Sequence, residues 1–290
     1  MLKKNILFII LAVFVLGGFV TVVDANHSWG GYHWARTANP FILELGDNVS
    51  SDWDSYLATT ASDWSGAYSS SSPTVLDTVV KSGSTKPRSC KGKDGRVEVC
   101  SARYGDNGWL GIAQIWITGG EHITKGVMKV NDTYFDTAYY NTPAWKNLVM
   151  CQEVGHTLGL GHTDEVFNNP NHGTCMDYTN DPDGTIYGQL NNEHPNQHDY
   201  DQLEAIYAHL DSIDTIGSAD SGGKGNGKGG GKGKPANVGQ GIDLDNPSSW
   251  GEVVSTDAKG RSSVHSRELG GDQKLVTFVI WADGEHSHSE

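Results

Sequence analysis

One stretch near the middle of the chain, Cys151-Gln-Glu-Val-Gly-His-Thr-Leu-Gly-Leu-Gly-His162, most limits what this sequence can fold into. On a helix, Gln152 and His156 project from the same face, because residues four apart lie one above the other. Gly159 predicts a sharp turn after that helix, since glycine takes positive φ without steric cost. The turn is expected to bring His162 back toward the helical pair.

A carboxylate and a second motif accompany this stretch. Glu153 borders the helical face, and three coordinating side chains with a carboxylate beside them form the donor set of a catalytic zinc site with one position open for water. The stretch resembles the metzincin signature HExxHxxGxxH of matrixin-, astacin- and serralysin-type metalloproteases, except that Gln152 replaces the first histidine. Downstream, Gly173-Thr-Cys-Met-Asp-Tyr178 resembles the metzincin Met-turn, with the Met-x-Tyr order of astacins and serralysins.

The resemblance implies a role for each matching residue. Glu153 is expected to act as general base and then as general acid in peptide-bond hydrolysis. Tyr178 is expected to stabilise the oxyanion that forms on the substrate. The residues implied at the metal are the ligands Gln152, His156 and His162, with Gly159 at the turn and Met176 as the apolar floor.

Gln152 leaves three interpretations open, because zinc prefers nitrogen and sulfur donors to a neutral amide oxygen. Gln152 binds zinc through its side-chain oxygen, or Tyr178 or a distant histidine completes the site, or zinc has been lost. The favoured function is an exported zinc-dependent endopeptidase acting on proteins or peptides. The alternative is a zinc-deficient pseudoprotease that serves as an extracellular peptide-binding module.

The start of the chain has the features of an export signal. Lys3 and Lys4 precede an apolar run, and Val23-Asp24-Ala25 provides a small-residue cleavage site, so residues 1–25 are predicted to be a signal peptide. An uncleaved membrane anchor is the alternative. The protein is therefore expected to be secreted and monomeric, contacting a membrane only through an uncleaved N-terminal segment. A net charge of -14 argues against nucleic acid or anionic membranes as partners.

The four cysteines are expected to form disulfides, since an even number in an exported chain favours them. Of the three connectivities, we favour Cys90–Cys100 with Cys151–Cys175, because the second bond would tie the zinc helix to the Met-turn. Buried, reduced thiols are the alternative.

The domain organisation follows from composition. Residues 26–215 are predicted to form the catalytic domain, in an α+β fold of metzincin type: a twisted mixed β-sheet, a central active-site helix and a C-terminal helix. Residues 216–241 are Gly/Lys-rich and predict a flexible linker. Residues 242–290 predict a small β-rich segment, which either forms a separate module or docks on the main domain.

Periodicity predicts the individual elements. The strands are expected at 41–45, 75–80, 109–118 and 123–130, and the amphipathic helices at 52–67 and 199–210. The zinc helix is expected to start at Pro143, after a cap at Asn141 or Thr142. Residues 90–100 predict a hairpin closed by its own disulfide. The resemblance implies that 109–118 or 123–130 binds the substrate backbone as an added strand.

Three further sets of polar residues are weaker candidates for metal binding. His27 and His33 are expected at the surface, as lone histidines near a mature N-terminus usually are. The acidic loop 180–184 is a candidate calcium site, but a solvated turn explains its residues as well. His286 and His288 are expected to collect metal only adventitiously.

Overall fold

A mixed β-sheet with helices packed against it forms the framework of the protein. The computed structural model describes residues 27–65, 75–217 and 242–282. The α+β class predicted from the sequence is confirmed. The predicted signal peptide, most of the predicted linker (218–241), and His286 and His288 lie outside the described residues.

The sheet has the strand order β3-β2-β4-β6-β5-β9-β8-β7, and β1 pairs with β6 beside this path. The pairs among β1, β2, β3, β4 and β6 are parallel, whereas the β6–β5, β5–β9, β9–β8 and β8–β7 pairs are antiparallel. The strands are β1 His33–Trp34, β2 Phe41–Asn48, β3 Leu76–Ser82, β4 Val97–Ala102, β5 Trp109–Thr118, β6 His122–Asn131, β7 Glu252–Thr256, β8 Ser262–Gly270 and β9 Gln273–Trp281.

Among the described residues, four α-helices accompany this sheet, and the longest, α3, carries the central motif. The helices are α1 Asp54–Trp64, the short α2 Asp132–Phe135, α3 Pro143–Thr157 and α4 Gln197–Ile206. In α3, twelve of fifteen residues are buried, which matches a helix that is apolar on several sides. α3 packs against α1 on one side and β5 on the other. In the described part of the chain, no helix is long and apolar enough to cross a bilayer.

The C-terminal segment joins the main sheet. β9 pairs antiparallel with β5 from Trp109↔Trp281 to Ile117↔Lys274, and β8 and β7 follow outward. β5 therefore lies inside the sheet, between β6 and β9. Of the two arrangements left open by the sequence, the pairing corresponds to docking on the main domain rather than to a separate module.

Several local predictions need correction. The hairpin expected over 90–100 is wrong: Cys90 and Cys100 are disulfide-bonded, but β4 pairs in parallel with β2 and β6. The disulfide therefore closes a loop that leads into a central strand. α4 ends at Ile206, so Leu210 lies beyond the helix and is exposed rather than part of a buried stripe.

Gly155 allows α3 to pack tightly against its neighbours. A Cβ at this position would lie 2.5 Å from Met176 Sδ and 2.7 Å from Trp64 Cζ2. Both distances are shorter than carbon and sulfur atoms tolerate, and both partners are fully buried. The close approach of helix, Met176 and Trp64 thus depends on the missing side chain.

Gly155→Ala is expected to destabilise the fold by about 1–2 kcal/mol. Overpacking a core costs about 1–3 kcal/mol, and the better helix propensity of alanine returns up to about 1 kcal/mol. Urea unfolding followed by tryptophan fluorescence measures the change. Gly92→Ala is the matched control, because its Cβ would lie no closer than 3.2 Å to any atom, and the nearest atom belongs to the Lys125 side chain. Equal stability of the two variants would contradict the packing argument.

Candidate functional site

The helix that carries the central motif has a well-defined start. The Thr142 side chain accepts a hydrogen bond from the Trp145 backbone N–H, and Pro143 occupies the first turn. Of the two caps considered from the sequence, Thr142 is therefore the one used. A threonine cap followed by proline fixes the helix N-terminus and hence the register of the residues further along.

The turn after α3 brings the two motif histidines together. Gly159 has φ +101°, and a Cβ there would lie 2.1 Å from the Tyr32 carbonyl oxygen, so only glycine fits. After the turn, the Leu160 carbonyl oxygen lies 2.9 Å from His156 Nδ1. The imidazole centroids of His156 and His162 are 4.5 Å apart.

Each of the three motif side chains has one polar atom bound and one without a partner. Gln152 Nε2 donates to the Cys175 carbonyl oxygen at 2.8 Å, and His162 Nδ1 lies 2.7 Å from Glu165 Oε1. His156 Nδ1 is held by Leu160 in the same way. The remaining donor atoms are buried and have no hydrogen-bond partner: Gln152 Oε1, His156 Nε2 and His162 Nε2.

This pattern fits a metal site. A carbonyl or carboxylate acceptor at Nδ1 places the proton there and leaves Nε2 with its lone pair free, as in most metal-binding histidines. Burial lowers the pKa of His156 well below its usual range, and nearby His162 lowers it further, so the neutral ligand form is favoured. Buried polar atoms without partners are rare and call for an ion or water.

Glu153 lies next to these donors, completely buried. Both of its carboxylate oxygens lack a hydrogen-bond partner of good geometry. Burial raises the pKa of Glu153 well above its usual range, and the backbone N–H of Ile280 offsets part of that effect. Gly111 in β5 makes room for Glu153, since a Cβ at Gly111 would lie 2.9 Å from Glu153 Cγ.

The loop that contains Met176 is fastened to α3. Cys175 is disulfide-bonded to Cys151, as the sequence suggested, and its carbonyl oxygen accepts the hydrogen bond from Gln152. Met176 is fully buried against Gly155, and its carbonyl oxygen accepts from the Thr163 N–H just beyond His162. The disulfide and these hydrogen bonds hold the two motifs together.

Tyr178 lies on the other side of His162, with ring centroids 4.5 Å apart. Its hydroxyl donates to the Val279 carbonyl oxygen of β9 at 2.9 Å. Burial raises the pKa of Tyr178 well above its usual range, and the negative charges of Glu165 and Glu153 raise it further. Tyr178 is therefore a neutral hydrogen-bond donor, and in this conformation a backbone carbonyl occupies it.

β9 covers the whole group of side chains. The Phe278 ring stacks on His156 at a centroid distance of 4.2 Å and an interplanar angle of 7°. Val279 accepts from Tyr178, and the Ile280 N–H lies near Glu153. As a result, Gln152, Glu153, His156 and Tyr178 are all 0% exposed.

Sequence reasoning missed two of the residues that shape this group. Glu165 holds His162 from three positions downstream, and Ser263 of β8 donates to it at 2.8 Å. Burial raises the pKa of Glu165, but the hydrogen bonds from His162 and Ser263 hold it below its usual range. A carboxylate three residues after His162 is a signal that the sequence offers; nothing local in the sequence announces Phe278.

The structure also describes most of the weaker candidates for metal binding. His27 and His33 are buried, so the surface position expected for them is wrong. In the acidic loop, Asp181 is buried and accepts the backbone N–H groups of Ile186 and Tyr187, which supports the turn rather than a calcium site. Asp183 accepts both the backbone N–H and the hydroxyl of Thr185 in the same loop.

Comparisons with known proteins give a distant likeness to a solved structure. No protein-family model matches the chain, and no curated protein matches it. Among solved structures, the chain is similar to high choriolytic enzyme 1, a hatching-enzyme zinc protease from the medaka fish Oryzias latipes. The identity is 13% and the TM-score 0.34, over 62% of this chain and 96% of that chain. The functional assignment therefore depends on the site itself.

Proposed function

We propose that the protein is an exported zinc-dependent endopeptidase whose active site is closed by its own C-terminal strand. The observation that carries the proposal is the set of buried donor atoms without partners at Gln152, His156 and His162, next to the partnerless carboxylate of Glu153. The two disulfides are compatible with an extracellular location.

The residues present fit zinc. Two imidazole nitrogens and one oxygen give three protein ligands, the number that catalytic zinc sites use while keeping a fourth position open. The amide oxygen of Gln152 is directed by the hydrogen bond from its Nε2 to Cys175. Of the three interpretations of Gln152, direct ligation through Oε1 is the one that this orientation favours.

The surrounding side chains have the chemistry for peptide-bond hydrolysis. A zinc ion held by Gln152, His156 and His162 would lower the pKa of a bound water and polarise the scissile carbonyl. Glu153 would accept the proton of that water and deliver it to the leaving amine. Its dry environment and raised pKa suit a carboxylate that must hold a proton between these two steps. Tyr178 would donate a hydrogen bond from its hydroxyl to the developing oxyanion.

β9 occupies the place that an extended substrate needs. It pairs antiparallel with β5, gives a carbonyl to Tyr178 and places an N–H beside Glu153. Those are the contacts that a peptide added to the edge of β5 makes by strand addition. We therefore assign the substrate strand to β5 and the closed conformation to a latent state that opens when β9 leaves.

A peptide-binding pseudoprotease is the second candidate. The neutral amide ligand at Gln152 favours it, because an oxygen donor binds zinc more weakly than imidazole. In that case the groove beside β5 binds an extended peptide, and Glu153 carries no chemistry.

Metal analysis of the purified full chain separates the two candidates. We expect tightly held zinc in the wild type that is lost in His156→Ala, since removing one of three ligands destroys a site with an open position. Gln152→His is the matched comparison and should hold zinc at least as tightly. If zinc depends on His156 only in the Gln152→His background, the endopeptidase proposal fails and the binding module remains.

A further inference from the structure

A second cluster of histidines lies away from the motif, where β1, the start of β6 and the segment after α4 meet. The Nε2 atoms of His33, His122 and His209 lie 3.4, 3.3 and 3.7 Å from the same atom, Asp211 Oδ1. The Nε2 atoms of His33 and His209 are 3.2 Å apart. A tetrahedral zinc with bonds of about 2.0–2.1 Å separates its ligand atoms by about 3.3 Å.

The hydrogen bonds around the cluster prepare these atoms for a cation. His33 Nδ1 lies 2.8 Å from the Gly31 carbonyl oxygen, so the proton of the neutral ring is on Nδ1 and the Nε2 lone pair faces Asp211. A lone pair directed at a carboxylate oxygen is repelled unless a cation lies between them. The other carboxylate oxygen, Asp211 Oδ2, is held by Arg36 at 2.9 Å, which leaves Oδ1 as the single donor.

Protonation of a histidine is the competing explanation, since an imidazolium can also sit beside a carboxylate. It accounts for one His–Asp contact but leaves the other two rings directed at the same oxygen. The convergence of three imidazoles on one oxygen, from segments as far apart as His33 and Asp211, is more economically explained by a shared metal ion. Among these residues, the ligand atoms of His33, His209 and Asp211 lie close enough together to share one ion, and two nitrogens with one oxygen are donors that zinc accepts.

We infer that His33, His209 and Asp211 bind a zinc ion, with His122 beside the same carboxylate oxygen. The ligands range from buried to open: the His33 side chain is 1% exposed, Asp211 9% and His209 52%. The ion can therefore enter from solvent after the chain has folded. None of these residues belongs to the site on α3.

The ion would fasten the N-terminal segment to the end of the motif helix. Next to His33, Trp34 donates its indole N–H to the Thr157 carbonyl oxygen at 2.9 Å. The preceding residues pair with the turn that follows α3, through Trp29 N–H to Gly159 at 3.1 Å. A metal at His33 thus stabilises, by linkage, the segment that supports the turn at Gly159.

Metal content of the full chain tests this inference. In His209→Gln and in Asp211→Asn we expect the loss of one zinc equivalent per chain relative to the wild type. The melting temperature of the wild type should fall when a chelator is added, and that of His209→Gln should respond less. His194→Gln is the matched control, because it removes a partly exposed histidine paired with an aspartate, Asp63, and should keep every equivalent.

Zinc binding at His209 and Asp211 can be measured separately from zinc binding at the site on α3. His162→Gln should leave the equivalent that depends on His209 in place. If the bound zinc depends on His209 and none of it depends on His162, the second site is supported and the endopeptidase proposal fails. If His209→Gln and Asp211→Asn both retain the full zinc content of the wild type with unchanged circular dichroism, the cluster is a protonated ion pair and the inference is wrong.

Discussion

Val276→Pro is expected to raise the peptidase activity of the full chain about tenfold or more. Val276 lies in the middle of β9, opposite Ile115 of β5 and Ser266 of β8. Proline cannot donate to the ladder, and a buried backbone group left without its partner costs about 1–3 kcal/mol. Because about 1.4 kcal/mol is a factor of ten in an equilibrium, the fraction of open chains rises accordingly. Cleavage of a mixed library of quenched-fluorescent peptides, with and without chelator, measures the gain.

Val254→Pro is the matched control for this experiment. Val254 lies in β7, the outermost strand, and is 51% exposed, so a proline there disturbs the same segment without uncovering the site. We expect its activity to stay at the wild-type level. Equal activity of both variants, with folded circular dichroism spectra, would show that β9 does not control access to the site.

Glu153→Gln is expected to lower kcat/KM about 10²–10⁴-fold in the Val276→Pro background, the range that general acid–base catalysis contributes. Glutamine keeps the size of the side chain but cannot take up a proton. The fold should stay intact, because the carboxylate of Glu153 has no hydrogen-bond partner of good geometry that the amide of glutamine would lose. Zinc content should not change. Steady-state kinetics and metal analysis on the same preparation measure both quantities.

Glu165→Gln separates proton transfer from positioning. Its carboxylate holds His162 Nδ1 without being adjacent to the cleaved bond, and loss of such a partner typically costs 10–100-fold in metal affinity or activity. Excess zinc should rescue Glu165→Gln but not Glu153→Gln. If Glu153→Gln still cleaves peptides at the full rate, Glu153 is not the general base. Peptide binding without cleavage by this variant is expected both of the endopeptidase and of the peptide-binding pseudoprotease.

Local signals in the sequence account for much of the motif region. Thr142, Pro143 and the apolar pattern of α3 specify a helix by themselves, and Gly159 specifies the turn after it. β5 and β6 are visible as apolar runs bounded by glycines. In each of these cases the information lies within about ten residues along the chain, which is the range over which propensity and periodicity act.

The features that escaped sequence reasoning are contacts between distant segments. Gln114 of β5 and Thr277 of β9 are hydrogen-bonded although 163 residues separate them. His33 and Asp211 are 178 residues apart. A strand pattern indicates that β9 exists but not which edge it joins, and a histidine has no periodicity that announces its partners. The parallel pairing of β4 was missed for the same reason, since a nearby disulfide favours a hairpin on local grounds.

Because β9 belongs to the same chain as β5, it raises the concentration that an external peptide needs in order to displace it from β5. A strand of the same chain competes intramolecularly, and such competitors typically act at an effective concentration in the millimolar range. A free peptide of equal affinity must reach that concentration to displace half of it. Cutting the backbone between residues 217 and 242 would abolish this advantage without altering a contact in the groove, so covalent continuity would decide how readily an external peptide displaces β9.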